Sequence, residues 1–199
     1  MATRAESFIE GEVRKYLVSD IKRLATLRPE GPEGLGACAI PEAMLLFVIT
    51  DLFGHLVRAD CKKPQLDDTK GNLKAIFVHP LAGFPGEYLA RVDILTGLFR
   101  NGLMHQIFPK AAGIRKADAG APLFERFDDL DHLNVDRYAV DVLNMIESLS
   151  DSLPLAQWQS LSVQMSERLD RILDSDFKEM TAKKAAESMV SPNLPGVNL

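Results

Sequence analysis

The stretch Ala43-Met44-Leu45-Leu46-Phe47-Val48-Ile49 is the longest unbroken apolar run of the chain, and it decides how the rest of the sequence must pack. Further apolar residues follow it at helical spacing, namely Leu52, Phe53, Leu56 and Val57. Pro41, just before the run, suits the first turn of a helix. A helix that is apolar on every side has to be covered by neighbours, while seven residues are far too few to span a membrane. The sequence therefore predicts a central helix in a protein without a membrane segment.

Helical spacing of apolar residues recurs on both sides of this central helix. In the first segment, near residues 6–27, the apolar stripe consists of Ile9, Val13, Leu17, Ile21 and Leu24. Similar spacing returns at about 87–105, 134–149 and 155–177, with a shorter apolar piece at 73–78. Four to five main helices with short connections predict an all-α protein, arranged as an antiparallel helix bundle.

Residues 112–127 depart from the helical pattern. Two short segments flank Asp118-Ala119-Gly120, which is a turn sequence, so a small β-hairpin insertion is predicted there. The remainder reads as one helical domain over residues 1–180. Residues 181–199 are short on apolar side chains and are predicted to form a flexible tail or one that docks on a partner subunit.

Composition bounds the class of protein. With 199 residues and 46% apolar residues, the chain can bury a sizeable core without disulfides or metals. Cys38 and Cys61 stand alone, without metal-ligand spacing, and are predicted to be reduced. The amino-terminal residues lack the apolar core of a signal peptide. We therefore expect a cytoplasmic protein that uses no metal and no cofactor.

Charge is unevenly distributed along the chain. The net charge of −5 argues against a general nucleic-acid coat protein. Residues 91–116 nevertheless hold five basic residues and one acidic residue, whereas residues 117–199 hold seven basic and fifteen acidic ones. A basic segment in an otherwise acidic protein fits a local phosphate site, although chance clustering on a solvated surface gives the same pattern.

The basic segment contains the motif Arg100-Asn101-x-x-x-His105, which concentrates the most chemistry in the chain. Arginine carries a permanent charge on a planar fork suited to phosphate, and histidine titrates near neutral pH. If both reach one phosphodiester, His105 can act as general acid or base while Arg100 neutralises charge in the transition state. The amide of Asn101 would orient the histidine or a phosphate oxygen.

Helical geometry places Asn101 and His105 on one face but separates Arg100 from His105 by about 140°. Gly102 loosens the helix at this point, and the long arginine side chain can reach across. Four other residues are predicted to support substrate binding. They are Lys110, Arg115 and Lys116, which would attract an RNA backbone, and Asp51, which would point toward the motif from the central helix.

The motif and the predicted helices resemble those of the HEPN superfamily (higher eukaryotes and prokaryotes nucleotide-binding domains). Its signature is an arginine, four to six residues and a histidine, commonly with a polar residue such as asparagine directly after the arginine. The resemblance implies an antiparallel four-helix bundle and a metal-independent endoribonuclease of the toxin or defence type. It also implies a homodimer whose two motifs face one cleft, and an inhibitory partner protein. Other members of the superfamily are inactive and serve as binding modules for RNA, nucleotides or proteins.

A structural interpretation of the same residues stays open. His105 could be a carboxyl-terminal helix histidine favoured by the macrodipole, and Arg100 could pair with an acid such as Asp51 or Asp93. The protein would then be a non-catalytic helical dimerisation or interaction module that keeps the motif for structure. A small-molecule enzyme ranks third, because the sequence contains no phosphate loop, nucleophile elbow or metal-ligand set.

Overall fold

The structure, a computed structural model, describes residues 1–28, 38–58, 68–100, 112–127 and 129–189. For residues 98–100, 112, 127 and 175–189 it describes the backbone alone. Within these ranges the protein is mainly helical and carries one small three-stranded mixed sheet. The prediction of a helical protein with a small β insertion is confirmed at this level.

The amino-terminal helix runs without interruption through three segments. They are α1 (Arg4–Phe8), a π-helical segment (Ile9–Leu17) and α2 (Val18–Thr26). Thr3 and Glu6 form a capping box that satisfies backbone N–H groups at the helix start. The predicted apolar stripe is confirmed, since Ile9, Val13 and Ile21 are each at most 1% exposed.

Helix α3 (Ala39–Val57) is the central helix that the apolar run predicts. It packs against α2, the helix that follows it in the chain, the first strand of the sheet and both carboxyl-terminal helices. Although α3 is long and apolar enough to cross a membrane, 67% of the relevant stretch is buried inside the protein. It is therefore the core helix of the fold, and its burial is consistent with a soluble protein.

The chain then forms three further helices before the motif. They are α4 (Thr69–Val78), α5 (Gly86–Ala90) and α6 (Val92–Ile94), and α6 continues into a π-helical segment (Leu95–Arg100). The continuous helix predicted from about Glu87 is therefore broken at Arg91, where the backbone leaves helical geometry. The Arg91 guanidinium lies 5.1 Å from the ring centre of Phe124, so a tertiary cation–π contact accompanies the break.

The sheet contains β1 (Ala112–Arg115), β2 (Phe124–Phe127) and β3 (Leu130–Asn134) in the order β1-β3-β2. Strand β3 pairs with β1 in parallel and with β2 antiparallel. The prediction of strands within 112–127 is thus confirmed, but their pairing as one hairpin is wrong. The actual hairpin joins β2 to β3, with Asp129 in the left-handed conformation at its turn (φ 63°).

Two helices complete the fold. Helix α7 spans Val135–Ser152, and a short 3₁₀ turn (Ala156–Trp158) leads into α8 (Gln159–Met189). The last helix packs on the first through the side chains of Ser162 and Ser166, which bond to Thr3 and to the backbone of Ala5. Residues 181–189, predicted to belong to a flexible tail, continue α8, and residues 190–199 lie outside the described residues.

Asn134 joins the sheet to α7. Its side-chain oxygen accepts a hydrogen bond from the backbone N–H of Arg137, and its amide nitrogen donates to the carbonyl of Asp118. We expect Asn134→Ala to lower the free energy of unfolding by about 1–2 kcal/mol, because it removes a helix cap together with the side-chain hydrogen bond to the Asp118 carbonyl. Chemical denaturation of this variant should be compared with that of Asn144→Ala, an exposed position of the same helix. Equal stability of the two variants would contradict this role.

Candidate functional site

The backbone that leads to the motif is anchored to the core. Leu95 is fully buried, and the hydroxyl of Thr96 donates to the carbonyl of Val92 one turn earlier. Both α6 and the π-helical segment that ends at Arg100 contact α4. Asn101, His105 and Lys110 lie outside the described residues, as does the side chain of Arg100. The structure therefore places the start of the motif but does not describe its geometry.

Asp51 is held inside the protein, in the contact between α3 and α4. Its two carboxylate oxygens accept hydrogen bonds from the hydroxyl of Thr69 (3.2 Å) and the amide of Asn72 (2.9 Å). The residue is 6% exposed. Since Thr69 and Asn72 belong to the first turns of α4, Asp51 fixes the crossing of two helices. This placement does not offer its carboxylate to a substrate.

Lys116 is also buried, and its side chain is 1% exposed. Its ammonium lies 2.5 Å from a carboxylate oxygen of Glu42 and donates a hydrogen bond to the carbonyl of Leu24. Asp136 is 3.9 Å away and bonds to Arg28 nearer the surface. This buried ionic cluster joins α2, α3, α7 and the end of β1. The prediction that Lys116 attracts an RNA backbone does not agree with this placement, because the ammonium is enclosed.

Glu42 is the most enclosed member of the ionic cluster, with no exposed surface. Burial raises the pKa of its carboxyl group, against the opposing effect of the Lys116 ammonium. Its second carboxylate oxygen has no hydrogen-bond partner among the residues that the structure describes. Lys116 is therefore the main compensating charge for Glu42.

Arg115 is the one predicted binding residue whose described side chain keeps access to solvent. Its guanidinium forms an ion pair of 2.6 Å with Glu125, and the two side chains are 23% and 32% exposed. Arg115 lies on β1 and Glu125 on β2, so the pair spans the central strand β3. The positive charge that residues 91–116 present to solvent is therefore smaller than their number of basic residues suggests.

His132 on β3 lies on the same face of the sheet as Arg115 and Glu125. In the strand register His132 is opposite Gly113 of β1 and Glu125 of β2, and Arg115 lies two residues beyond Gly113. Because side chains alternate along a strand, Arg115, Glu125 and His132 share one face. The opposite face carries Ile114 and Leu133, both of which belong to the core.

Glu125 and His132 are not among the residues predicted from the sequence. Neither residue belongs to a recognisable motif, and the segment containing His132 lies just before the predicted helix at Asn134. The sequence offers two indications of these residues. Polar and apolar side chains are mixed within the strand Phe124–Phe127, and a histidine follows that strand by five residues. These indications become informative only when β3 is known to lie between β1 and β2.

The described residues contain no group of three or more His, Cys, Asp or Glu side chains arranged to hold a metal ion. The chain matches no protein-family model, no curated protein and no solved structure.

Proposed function

We propose that the protein is a HEPN-like, metal-independent enzyme that cleaves or binds RNA, with Arg100 and His105 acting on the phosphodiester and Asn101 orienting them. The observation that carries the proposal is the winding of the segment before the motif. Residues Leu95–Arg100 form a π-helical segment, a feature that is frequent at functional sites.

Continuation of this winding past Arg100, which is part of the proposal, would address the main geometric difficulty of the motif. On an α-helix, Arg100 and His105 would lie on different faces because they are five residues apart. The hydrogen bonds of a π-helix join residues i and i+5, so that residues five apart come one above the other. The described winding reaches Arg100. If it continues through the motif, as we propose, it suits an arginine and a histidine separated by four residues.

In this proposal the helices form an antiparallel bundle, and a homodimer brings two motifs to one cleft. Lys110 and Arg115 would attract the RNA backbone, although Arg115 must exchange its contact with Glu125 to do so. A cytoplasmic location and an inhibitory partner protein belong to the same proposal, as a toxin or defence nuclease requires.

The proposal is tested by incubating the purified protein with single-stranded RNA of mixed sequence in EDTA. We expect cleavage by the wild type and a loss of at least about 100-fold for His105→Ala, which removes the proton-transferring group. Gln106→Ala, the adjacent polar position, is the matched control and should cleave normally. Both variants should unfold at the wild-type temperature. Equal cleavage by wild type and His105→Ala would contradict the assignment.

The second candidate is a non-catalytic dimerisation or interaction module, and one observation favours it. A groove of about 560 Å³ lies beside α4, and its walls include Val78, 61% exposed, and Leu89, 39% exposed. Exposed apolar side chains in a groove are typical of surfaces that bind another protein. On this alternative, Arg100→Ala would weaken dimerisation in analytical ultracentrifugation, and no RNA would be cleaved.

A further inference from the structure

We propose that the groove beside α4 binds an amphipathic helix of a partner protein, with apolar side chains of that helix in the groove and acidic ones beside Lys74. The inference names the partner for the second candidate function, on which it rests. It does not depend on RNA cleavage, so it and the nuclease assignment can fail separately. The groove has a volume of about 560 Å³, comparable with that of ligand-binding clefts.

The residues that line the groove come from three helices. On α4, Gly71, Ala75 and Val78 follow one another at helical spacing, while the opposite face of this helix is buried in the core. Val57 at the end of α3 and Leu89 of α5 complete the apolar lining. Because Val78 and Leu89 are both exposed, the groove presents apolar surface to solvent. The apolar face of a helix is the element that covers such a groove in helix-in-groove recognition.

Lys74 supplies the positive charge of the groove. Two neighbouring cations are already paired, since Arg58 lies 2.6 Å from Asp68 and Lys70 lies 2.6 Å from Asp93. Lys74 also lines the groove and is exposed, and it forms no ion pair within the part of the chain that the structure describes. An acidic side chain of a bound helix would therefore find a cation at the groove that does not have to leave another carboxylate.

Gly71 holds the polar end of the groove in place. A Cβ atom built on Gly71 would lie 2.3 Å from Nη1 of Arg58 and 2.3 Å from a carboxylate oxygen of Asp68. The pair of Arg58 and Asp68 therefore rests directly on the backbone of α4, at a place where a side chain would displace it. Since Val78 is the last residue of α4, the groove has charged groups at one end and an exposed apolar side chain at the other.

The charges also distinguish between occupants. A twofold dimer through this groove would bring the same surface of both copies together, and with it two copies of Lys74. Like charges in one contact are unfavourable, whereas an acidic partner gains from the same lysine. The ten-residue helix α4 is about 15 Å long, which suits a partner helix that offers side chains at successive turns.

The test uses two synthetic helical peptides of about 18 residues that share a leucine stripe at positions i, i+3, i+4 and i+7. One peptide carries glutamate beside the stripe and the other carries lysine. Fluorescence anisotropy at low salt measures the binding of each peptide to the full chain. We expect the wild type to bind the glutamate peptide about 10-fold more tightly than the lysine peptide. Lys74→Glu should remove or invert this preference.

A matched pair of variants tests the apolar part of the groove. Val78→Ser should weaken binding of the glutamate peptide about 10-fold, because a valine side chain that the peptide buries is lost. Val140→Ser changes an exposed valine of α7 outside the groove and should bind as the wild type does. Both valines are exposed, so thermal unfolding of the two variants should stay close to that of the wild type.

Three results would overturn the proposal. The first is equal binding of both peptides by the wild type, and the second is unchanged binding in Val78→Ser. The third is a wild-type dimer that Val78→Ser converts to a monomer in analytical ultracentrifugation, because a second copy would then occupy the groove. RNA cleavage by the wild type bears on the nuclease assignment alone, so failure of one proposal is recognised without the other.

Discussion

Lys116→Met is expected to lower the free energy of unfolding by about 3–5 kcal/mol at neutral pH, because it leaves the enclosed Glu42 carboxylate without its cation. Lys116 lies 2.5 Å from that carboxylate, and both side chains are at most 1% exposed. The carbonyl of Leu24 loses its lysine donor in the same variant. Urea denaturation measures the effect.

Two companion variants isolate the cause. Lys70→Met breaks an ion pair with Asp93 whose side chains are 48% and 74% exposed, and should cost less than about 1 kcal/mol. The double variant Glu42→Leu with Lys116→Met removes both buried charges and should recover most of the loss. If Lys116→Met proves no more costly than Lys70→Met, the ionic cluster has no central structural role.

The loss caused by Lys116→Met should also depend on pH. Burial raises the pKa of Glu42 above its ordinary value of 4.5, Lys116 and Arg28 oppose that effect, and Asp136 adds to it. The folded protein therefore holds this proton more tightly than the unfolded chain, and the corresponding stability is lost as pH rises through the folded pKa. Removing the lysine raises that pKa further. The difference between variant and wild type should therefore be larger near pH 8 than near pH 5.

The second large effect is expected for Gly54→Ala, at the crossing of α3 and α4. A Cβ atom there would lie 2.1 Å from the backbone carbonyl oxygen of Asn72, and backbone cannot move aside cheaply. The helices would have to separate, which also strains the bond between Asn72 and Asp51. We expect a loss of about 1–3 kcal/mol or more.

Gly11→Ala is the matched control for Gly54→Ala. Gly11 is also helical, but a Cβ atom on it would meet nothing within 4 Å. Since alanine has the higher helix propensity, this change should stabilise the protein by about 0.5–1 kcal/mol. Thermal unfolding should thus move in opposite directions for the two glycines. A shift of the same sign and size in both would contradict the close crossing.

Some of the fold follows from local sequence. The central helix is predictable because no face of Ala39–Val57 is polar enough to lie in water, and α7 because Asn134 caps a segment with helical spacing. Strand β3 is not predictable in this way. Its pairing with β1 is parallel and non-local, and one of its central residues is a buried histidine. The two strands predicted at 112–127 were therefore expected to pair with each other, whereas both pair with β3.

In the candidate site, too, the motif can be found from neighbouring residues, whereas contacts between distant parts of the chain cannot. Sequence spacing makes Arg100 and His105 candidates, but it cannot tell whether a nearby charge is exposed. Lys116 is paired with Glu42, which precedes it by 74 residues, and Asp51 bonds to two residues of the next helix. Both residues belong to the structure of the core. Glu125 and His132 come together only through the strand order.

We propose that this protein cleaves RNA by internal transesterification. The most direct measurement is mass spectrometry of the ends formed on a defined single-stranded RNA incubated with the wild-type protein in EDTA. We expect 2′,3′-cyclic phosphate and 5′-hydroxyl ends, since the 2′-oxygen is the nucleophile. Intact RNA, or 3′-hydroxyl and 5′-phosphate ends, would contradict it.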